Sequence, residues 1–273
     1  AGSAHYRMDR YETAISYFSR ITDDIIVDGE LNPVLLNDTF HDVVPAVCYY
    51  NGFALYRQNR YGDSLTILRT CTEQFPDSSY FSESLYLTGL CHMRRKEYEQ
   101  SVAVFNNITA DNKEEMTAQK AMFLQAKSYD FLNNYRESAQ TYNLLNQRFP
   151  NSPLADDALL GYAREIGKTG NIEEAVLTFR GFSQRYPDSD LRDDALFYLA
   201  DHYFRNNKYQ RAKEVYQEYE RLFPQGEYGD AVLFFGGEAA TETNDEAEAI
   251  LLWEKLIRVF RNSSYRPEAI RMT

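Results

Sequence analysis

Two nearly identical stretches decide the fold of this chain: RFPNSPLADDALLGYA, from Arg148 to Ala163, and RYPDSDLRDDALFYLA, from Arg185 to Ala200. They begin 37 residues apart and share the aromatic-proline pair, the following serine, the paired aspartates and the final alanine. Self-similarity at a fixed spacing predicts an array of structural repeats rather than two unrelated domains.

The same spacing continues along most of the chain. Four columns of similar residues recur every 37 positions, and each column has one member per repeat. The first two columns contain small residues: Gly52, Gly89, Ala126, Ala163, Ala200 and Gly237 in the first, and Ser64, Ser101, Ser138, Ala175, Ala212 and Ala249 in the second. The third column contains large apolar or aromatic residues: Leu68, Phe105, Tyr142, Phe179, Tyr216 and Trp253. The fourth column is mostly tyrosine: Tyr61, Tyr98, Tyr135, Ile172, Tyr209 and Glu246. Six repeats in one frame are therefore predicted.

Each column has a physical reason. Apolar residues three and four apart, such as Leu196, Leu199 and Tyr203, form one face of a helix, and short breaks separate two helices per repeat. Small residues at facing positions let the two helices pack closely, and we expect the third column to fill the space between neighbouring repeats. Serines that follow the aromatic-proline pairs are predicted to be helix N-caps: Ser78, Ser152, Ser189 and Ser263. One helix pair cannot bury its apolar faces alone, so the pairs must stack.

The stretch LFYLADHYFRNNKYQRAKEVYQEYERLFP, from Leu196 to Pro224, resembles the tetratricopeptide repeat family. The resemblance implies an all-α fold: a right-handed superhelical solenoid of stacked antiparallel helix pairs, whose first helices line a concave groove that binds peptides or partner surfaces. The repeats are 37 residues long where the family has about 34. Their longer turn, with the pattern FPxS, is similar to the bacterial envelope branch, which includes an outer-membrane assembly lipoprotein and a periplasmic coordinator of cell-wall synthesis.

The predicted organisation is a single array. A partial repeat (1–21) and an insertion (22–44) precede six repeats, and the start of a further repeat (266–273) follows them. The insertion is either a loop or additional helix. The six repeats are predicted at 45–81, 82–118, 119–155, 156–192, 193–229 and 230–265.

Composition and charge exclude several classes of function. The net charge of −12 argues against binding to a nucleic-acid backbone, and no apolar run is long enough to cross a membrane. The three cysteines, Cys48, Cys71 and Cys91, have no metal-site spacing and are interpreted as small core residues. The four histidines, at positions 5, 41, 92 and 202, are scattered over different repeats.

The paired aspartates Asp156–Asp157 and Asp193–Asp194 suggest either acid-base chemistry or charges that complement a helix N-terminus. The recurrence of the pair in register favours the second interpretation. No phosphate-binding, nucleophile or zinc motif is present. We therefore predict a non-catalytic protein with no cofactor and no metal.

By the resemblance, the residues three before each small residue of the first column face the groove: Tyr49, Tyr86, Phe123, Leu160, Phe197 and Phe234. Cations cluster near them in the middle of the array. The predicted partner-binding residues are Tyr86, Phe123, Lys127, Arg164, Lys168, Phe197 and Arg205. Two alternatives remain at this point: the aromatics are also family consensus, and cations near a helix C-terminus also complement its dipole.

The predicted function is a protein-protein interaction scaffold that binds a peptide or partner protein, with acidic side chains on that partner. The alternative is a regulatory or spacer arm of a multidomain protein. A periplasmic or envelope-associated location is favoured over a cytoplasmic one. Because repeat arrays without polar caps expose apolar surface, we also expect weak end-to-end self-association at high concentration.

Overall fold

A computed structural model describes residues 11–27, 30–31, 43–111 and 115–273. The fold class predicted from the repeats is confirmed: the described residues form an all-α repeat architecture, with one two-stranded exception. The chain comprises two compact units, residues 1–141 and 142–273. Each unit is described by itself.

The helices are close to uniform in length, as expected for repeats. In the first unit they are α1 (Tyr11–Ile25), α2 (Val43–Arg57), α3 (Tyr61–Gln74), α4 (Phe81–Arg94), α5 (Tyr98–Asp111) and α6 (Glu115–Phe131). Helix α7 (Tyr135–Arg148) has residues in both units. In the second unit they are α8 (Ala155–Lys168), α9 (Ile172–Arg185), α10 (Arg192–Arg205), α11 (Tyr209–Leu222), α12 (Gly229–Glu242), α13 (Glu246–Val259) and α14 (Arg266–Met272).

Consecutive helices pack against each other as pairs, and the first helices of successive pairs lie side by side. In the first unit α2, α4 and α6 form such a row, and in the second unit α8, α10 and α12 form another. In such a row, equivalent helical positions of successive repeats lie on the same face. Residues 37 apart in sequence are therefore neighbours on that face.

The two small columns meet inside each helix pair. In three pairs a serine hydroxyl of the second helix donates to the carbonyl oxygen of the small residue on the first: Ser64 Oγ to Gly52 O at 2.7 Å, Ser101 Oγ to Gly89 O at 3.1 Å, and Ser138 Oγ to Ala126 O at 2.8 Å. In the second unit Ala175, Ala212 and Ala249 are fully or almost fully buried at the same position. The prediction of close helix-helix contact at these columns is confirmed.

The third column lies between neighbouring repeats, as predicted: Leu68 clusters with Leu87 of the next repeat, and Phe105 with Ala121. In three repeats it also makes a contact that was not predicted. Where the first column is glycine, the large side chain lies over the glycine of its own repeat. A Cβ added to Gly89 would be 2.4 Å from the Phe105 ring, and one added to Gly237 would be 2.3 Å from Trp253 Nε1. Leu68 lies over Gly52 in the same way. Tyr142 likewise contacts the next repeat, because its ring lies against Gly161.

Each helix pair turns through a residue in the left-handed conformation, and these residues are again 37 apart: Asn59, Lys96, Asn133, Gly170, Asn207 and Asn244. Glycine and asparagine adopt this conformation most readily. The tyrosines of the fourth column support the turn, because Tyr61, Tyr135 and Tyr209 each donate a hydrogen bond from Oη to the asparagine side chain two residues earlier.

The predicted serine N-caps are wrong by two residues. The next helices begin after Tyr80, Leu154, Leu191 and Tyr265, and the serines lie in the turn before them. In that turn each serine hydroxyl accepts from the backbone N–H two residues later, as in Ser152 Oγ to Leu154 N at 3.1 Å. The serine therefore orders the connection between repeats rather than the first turn of the helix.

The predicted insertion at 22–44 contains both helix and strand where it is described. Helix α1 continues to Ile25, and strand β1 (Ile26–Val27) pairs antiparallel with β2 (Glu30–Leu31). Positions 28–29 and 32–42 lie outside the described residues. The boundaries of the individual repeats stay a prediction.

Overpacking the small column should destabilise the second unit. Ala175 is completely buried between α8 and α9, so Ala175→Leu should lower the free energy of unfolding by about 1–3 kcal/mol. Chemical unfolding monitored by circular dichroism measures this. Ala247→Leu, at an exposed position of α13, is the matched control and should change stability little. Equal stability of the two variants would contradict the helix pairing.

A second prediction concerns the one lysine among the left-handed turn residues. Lys96 has φ of 62°, where a long side chain is disfavoured, and its equivalents include four asparagines. Lys96→Asn should therefore stabilise the protein by roughly 0.5 kcal/mol. Lys120→Asn, at an exposed site in α6, should instead destabilise it slightly through lower helix propensity. Unfolding curves that show the same sign for both changes would contradict the explanation.

Candidate functional site

A pocket of about 400 Å³ lies in the second unit, between the C-terminal ends of the neighbouring first helices α8 and α10. Arg164 and Lys168 line it from α8, and Tyr198 and Arg205 line it from α10. We call it the basic pocket. The pairing arises because Lys168 and Arg205 are one repeat apart, while Arg164 and Lys168 are one helical turn apart.

The three cations of the basic pocket differ in how they are compensated. Lys168 Nζ bonds both carboxylate oxygens of Glu165, at 2.9 and 3.0 Å, and that glutamate is only 2% exposed. Arg205 Nε donates to Asp201 Oδ2 at 2.7 Å. Arg164 forms no ion pair with any residue that the structure describes. Its charge is therefore available to a ligand.

Tyr198 fixes the position of that uncompensated charge. The Arg164 guanidinium carbon is 4.7 Å from the centre of the Tyr198 ring, a cation-π contact. Stacking of this kind holds the planar guanidinium without using its N–H groups. Those donors can still bind a carboxylate in the bidentate geometry for which arginine is well suited.

His202 and Phe179 also line the pocket, and Gly167 makes room for the imidazole. A Cβ on Gly167 would be 2.8 Å from His202 Cε1, and the His202 and Phe179 rings are 6.4 Å apart. His202 Nε2 is buried and has no hydrogen-bond partner in the described structure. Burial lowers the pKa of His202, although Asp201 opposes the change. Burial therefore favours the neutral form of the imidazole.

The structure brings three of the predicted binding residues together in this pocket: Arg164, Lys168 and Arg205. Phe197, which was predicted beside them, does not line it. Its ring instead stacks on Tyr228, with centroids 4.2 Å apart. Sequence reasoning missed Tyr198, although its spacing of three and seven residues from Asp201 and Arg205 was a usable signal for one helix face.

The other predicted binding residues lie in the first unit. Tyr86 is half-buried on α4, 6.0 Å from the Phe105 ring, and burial raises its pKa. Lys127 is exposed on α6, with its Nζ 4.8 Å from the centre of the Phe123 ring. A role for these three residues in binding stays a prediction.

The other titratable groups that the sequence singled out have structural roles. All three cysteines are buried and free, and burial raises the pKa of Cys48 to about 12 and that of Cys91 to about 11. Such thiols are protonated and unreactive, so their interpretation as core residues is confirmed. His92 Nδ1 lies 2.8 Å from Glu97 Oε2. His5 and His41 lie outside the described residues.

The paired aspartates occupy the first turns of α8 and α10, as predicted. In each pair the first carboxylate accepts from the next backbone N–H, as in Asp156 Oδ1 to Asp157 N at 2.9 Å. They also join successive repeats, because Ser189 donates to Asp156 and Tyr228 donates to Asp194. Nothing in 11–27, 30–31, 43–111 or 115–273 groups three or more histidine, cysteine or acidic residues in a way that could hold a metal.

The geometry is that of a helical repeat protein with a charged pocket on the row of first helices. Models of the tetratricopeptide repeat match residues 52–114, 120–152 and 167–227, which together make up more than half of the chain. The chain therefore belongs to the tetratricopeptide repeat family. No curated protein matches it in sequence. Among the described helices, none is long and apolar enough to cross a membrane.

Several solved structures share the fold. A tetratricopeptide repeat protein from Parabacteroides merdae is 17% identical with a TM-score of 0.60, and the match covers 99% of this chain and 95% of that one. The C-terminal part of a repeat protein from Cytophaga hutchinsonii is 11% identical, with a TM-score of 0.70 and coverage of 98% and 97%. PilF of Pseudomonas aeruginosa is 13% identical, with a TM-score of 0.57 and coverage of 85% and 99%. At these identities the likeness concerns the fold alone.

His202 should make stability depend on pH. Its pKa in the folded protein is below the ordinary value of 6.5, so the unfolded chain takes up a proton first as the pH falls. The free energy of unfolding should therefore decrease as the pH falls from about 6.5 through the folded-state pKa. Urea unfolding of His202→Gln and the parent protein across this range measures the effect. In His202→Gln the free energy of unfolding should depend less steeply on pH than in the parent protein. The same pH dependence in both proteins would contradict the interpretation.

Proposed function

We propose that this protein is a non-catalytic scaffold that binds a protein or peptide segment carrying acidic side chains, with the basic pocket as its main contact. The tetratricopeptide repeat fold generally mediates protein-protein interaction. The observation that carries the proposal is Arg164, which has no ion-pair partner among the described residues and contacts the Tyr198 ring at a pocket of about 400 Å³. An acidic side chain that enters the pocket also meets Lys168 and Arg205.

The division of roles in the pocket follows from the contacts. Arg164 supplies the principal hydrogen-bond donors, since Lys168 and Arg205 are already engaged by Glu165 and Asp201. The two paired cations add to the positive potential and set the register of the ligand. Tyr198 provides an apolar surface beside the charge, and aromatic rings with a nearby arginine are frequent in the centres of interfaces.

Tyr86, Phe123 and Lys127 form a second part of the proposal, in the first unit. Lys127 above Phe123 repeats the combination of a cation and an aromatic ring. Binding of a short acidic segment at Arg164 does not require these residues.

The cellular context is also a proposal. The 37-residue repeat with its FPxS turn supports an envelope-associated scaffold that is part of a larger protein. A regulatory or spacer arm is the second candidate. The repeat architecture is compatible with it because each helix pair packs on its neighbours in an extended stack. The two candidates predict different neighbouring sequence. A lipidation cysteine upstream would favour the envelope-associated scaffold, and a catalytic domain downstream would favour the regulatory or spacer arm. Weak end-to-end self-association stays a prediction.

Charge reversal at one residue tests the binding site. A fluorescently labelled hexaglutamate peptide should bind, and its affinity should fall as salt rises. Arg164→Glu should weaken binding by about tenfold or more. Arg180→Glu, at an exposed position of α9 outside the pocket, is the matched control and should retain most of the affinity. Fluorescence anisotropy measures all three proteins.

The choice of Arg164 keeps the test free of folding effects. Reversal of Lys168 would place a carboxylate beside the buried Glu165 and would destabilise the protein as well as the site. If Arg164→Glu binds hexaglutamate as tightly as Arg180→Glu does, the basic pocket is not the binding site.

A further inference from the structure

A second pocket in the same unit, of about 510 Å³, lies at the equivalent position two repeats further along the chain. Two repeats further along the chain, Glu238 occupies the position equivalent to Arg164, Glu242 that of Lys168, and Trp253 that of Phe179. All six of these residues line one pocket or the other. We call the second cavity the acidic pocket. The same place in the repeat thus carries opposite charge.

The acidic pocket has aromatic walls as well as carboxylates. Phe204, Tyr209 and Trp253 line it, together with Glu238, Glu242 and Glu246. The Phe204 and Tyr209 rings meet edge to face at 5.4 Å, and the indole N–H of Trp253 donates to the Phe234 carbonyl oxygen at 3.2 Å. These contacts hold the rings in place. A fixed aromatic wall beside negative charge is suited to an organic cation.

The three glutamates are not neutralised within the described part of the chain. None of them forms an ion pair, whereas other acidic groups of this unit do: Glu248 and Asp245 bind Lys213, and Glu220 binds Lys255. Glu238 is half-buried, and burial together with Glu242 raises its pKa. The carboxylates therefore repel one another in a cavity that has room for a positive group.

Helix-end chemistry does not explain Glu242. It lies at the C-terminal end of α12, where the helix dipole favours cations, and its equivalents in other repeats include Arg57, Arg94, Lys168 and Arg205. A carboxylate at this position is unfavourable for the helix. Glu246 at the start of α13 does complement a dipole, so the unexplained charges are those of Glu238 and Glu242.

We propose that the acidic pocket binds a lysine or arginine side chain of a partner segment, with Glu238 and Glu242 as the charge acceptors. The half-buried rings of Phe204 and Tyr209 form the aromatic wall, and the buried Trp253 lies behind the site. The charge is complementary, and the apolar stem of either side chain matches the rings and the side chains of Ile250 and Met272. In the repeat between the two pockets, the residues equivalent to Glu238 and Glu242 are Asp201 and Arg205, which form an ion pair with each other. This inference does not depend on the basic pocket being occupied.

The chain carries its own reporter for this site, because Trp253 is its only tryptophan. Titration with acetylated trilysine amide should change Trp253 fluorescence in a saturable way, and the matching triglutamate peptide should not. The double variant Glu238→Gln and Glu242→Gln should weaken trilysine binding by about tenfold or more. Glu254→Gln, at an exposed position of α13 outside the pocket, is the control and should bind trilysine as the parent does.

The outcomes separate this site from its alternatives. Removal of two mutually repelling carboxylates should leave the unfolding curve unchanged or shifted towards higher stability, so loss of binding cannot be attributed to misfolding. Equal binding by the double variant and Glu254→Gln would overturn the proposal. An equal response to magnesium chloride at the same concentration of positive charge would also overturn it, because the pocket would then bind cations without regard to the side chain. The hexaglutamate experiment uses the opposite charge and Arg164, so either proposal can fail alone.

Discussion

The close contact between the two helices of each pair is the constraint on which the rest of the structure depends. A glycine or alanine on the first helix meets a serine or alanine on the second, and in three repeats the serine hydroxyl bonds the carbonyl oxygen opposite. This contact sets the separation of the helices. With the helices so close, large side chains such as Phe105 and Trp253 can lie over a glycine, and the next pair can stack on a surface of constant shape.

Because every pair has the same geometry, the ends of the first helices recur in equivalent places. Exposed side chains there contribute little to stability, typically less than about 1 kcal/mol each. They are therefore free to differ from repeat to repeat while the buried columns stay the same. In the second unit this freedom yields a cationic pocket at Arg164, an internally compensated position at Asp201 and Arg205, and an anionic pocket at Glu238.

The helix pairs could be predicted from the sequence because their determinants are local and periodic. Every repeat needs the close helix-helix contact at the positions of Gly52 and Ser64. Small residues therefore recur there at a fixed spacing, from which the contact can be predicted. The serine caps were misplaced because Ser152 and its equivalents accept a hydrogen bond within a turn that comes two residues before the actual N-cap. The left-handed turn was not predicted, although asparagine recurs at four of its six positions and was a usable signal.

The pocket could be predicted only in part, for a physical reason. Spacing brings Arg164, Lys168 and Arg205 to one face, but it does not reveal which cation is already neutralised. That depends on rotamers: Lys168 reaches back to Glu165, Arg205 reaches back to Asp201, and Arg164 turns to Tyr198 on the adjacent first helix. Lys168 and Arg205 find their partners on their own helices, whereas the contact of Arg164 is with the neighbouring helix and cannot be read from its own sequence context.

The compensated and uncompensated charges have different relations to the fold. Glu165 is buried and needs Lys168, since an isolated buried carboxylate would be strongly unfavourable, so that lysine belongs to the folded structure as much as to the pocket. Among the described residues, Arg164 pairs with no buried group and contacts only the half-buried ring of Tyr198. Stability therefore constrains Lys168 and leaves Arg164 free. A charge that the fold does not require, held in place beside an open cavity, is the feature of this protein that most directly indicates a ligand.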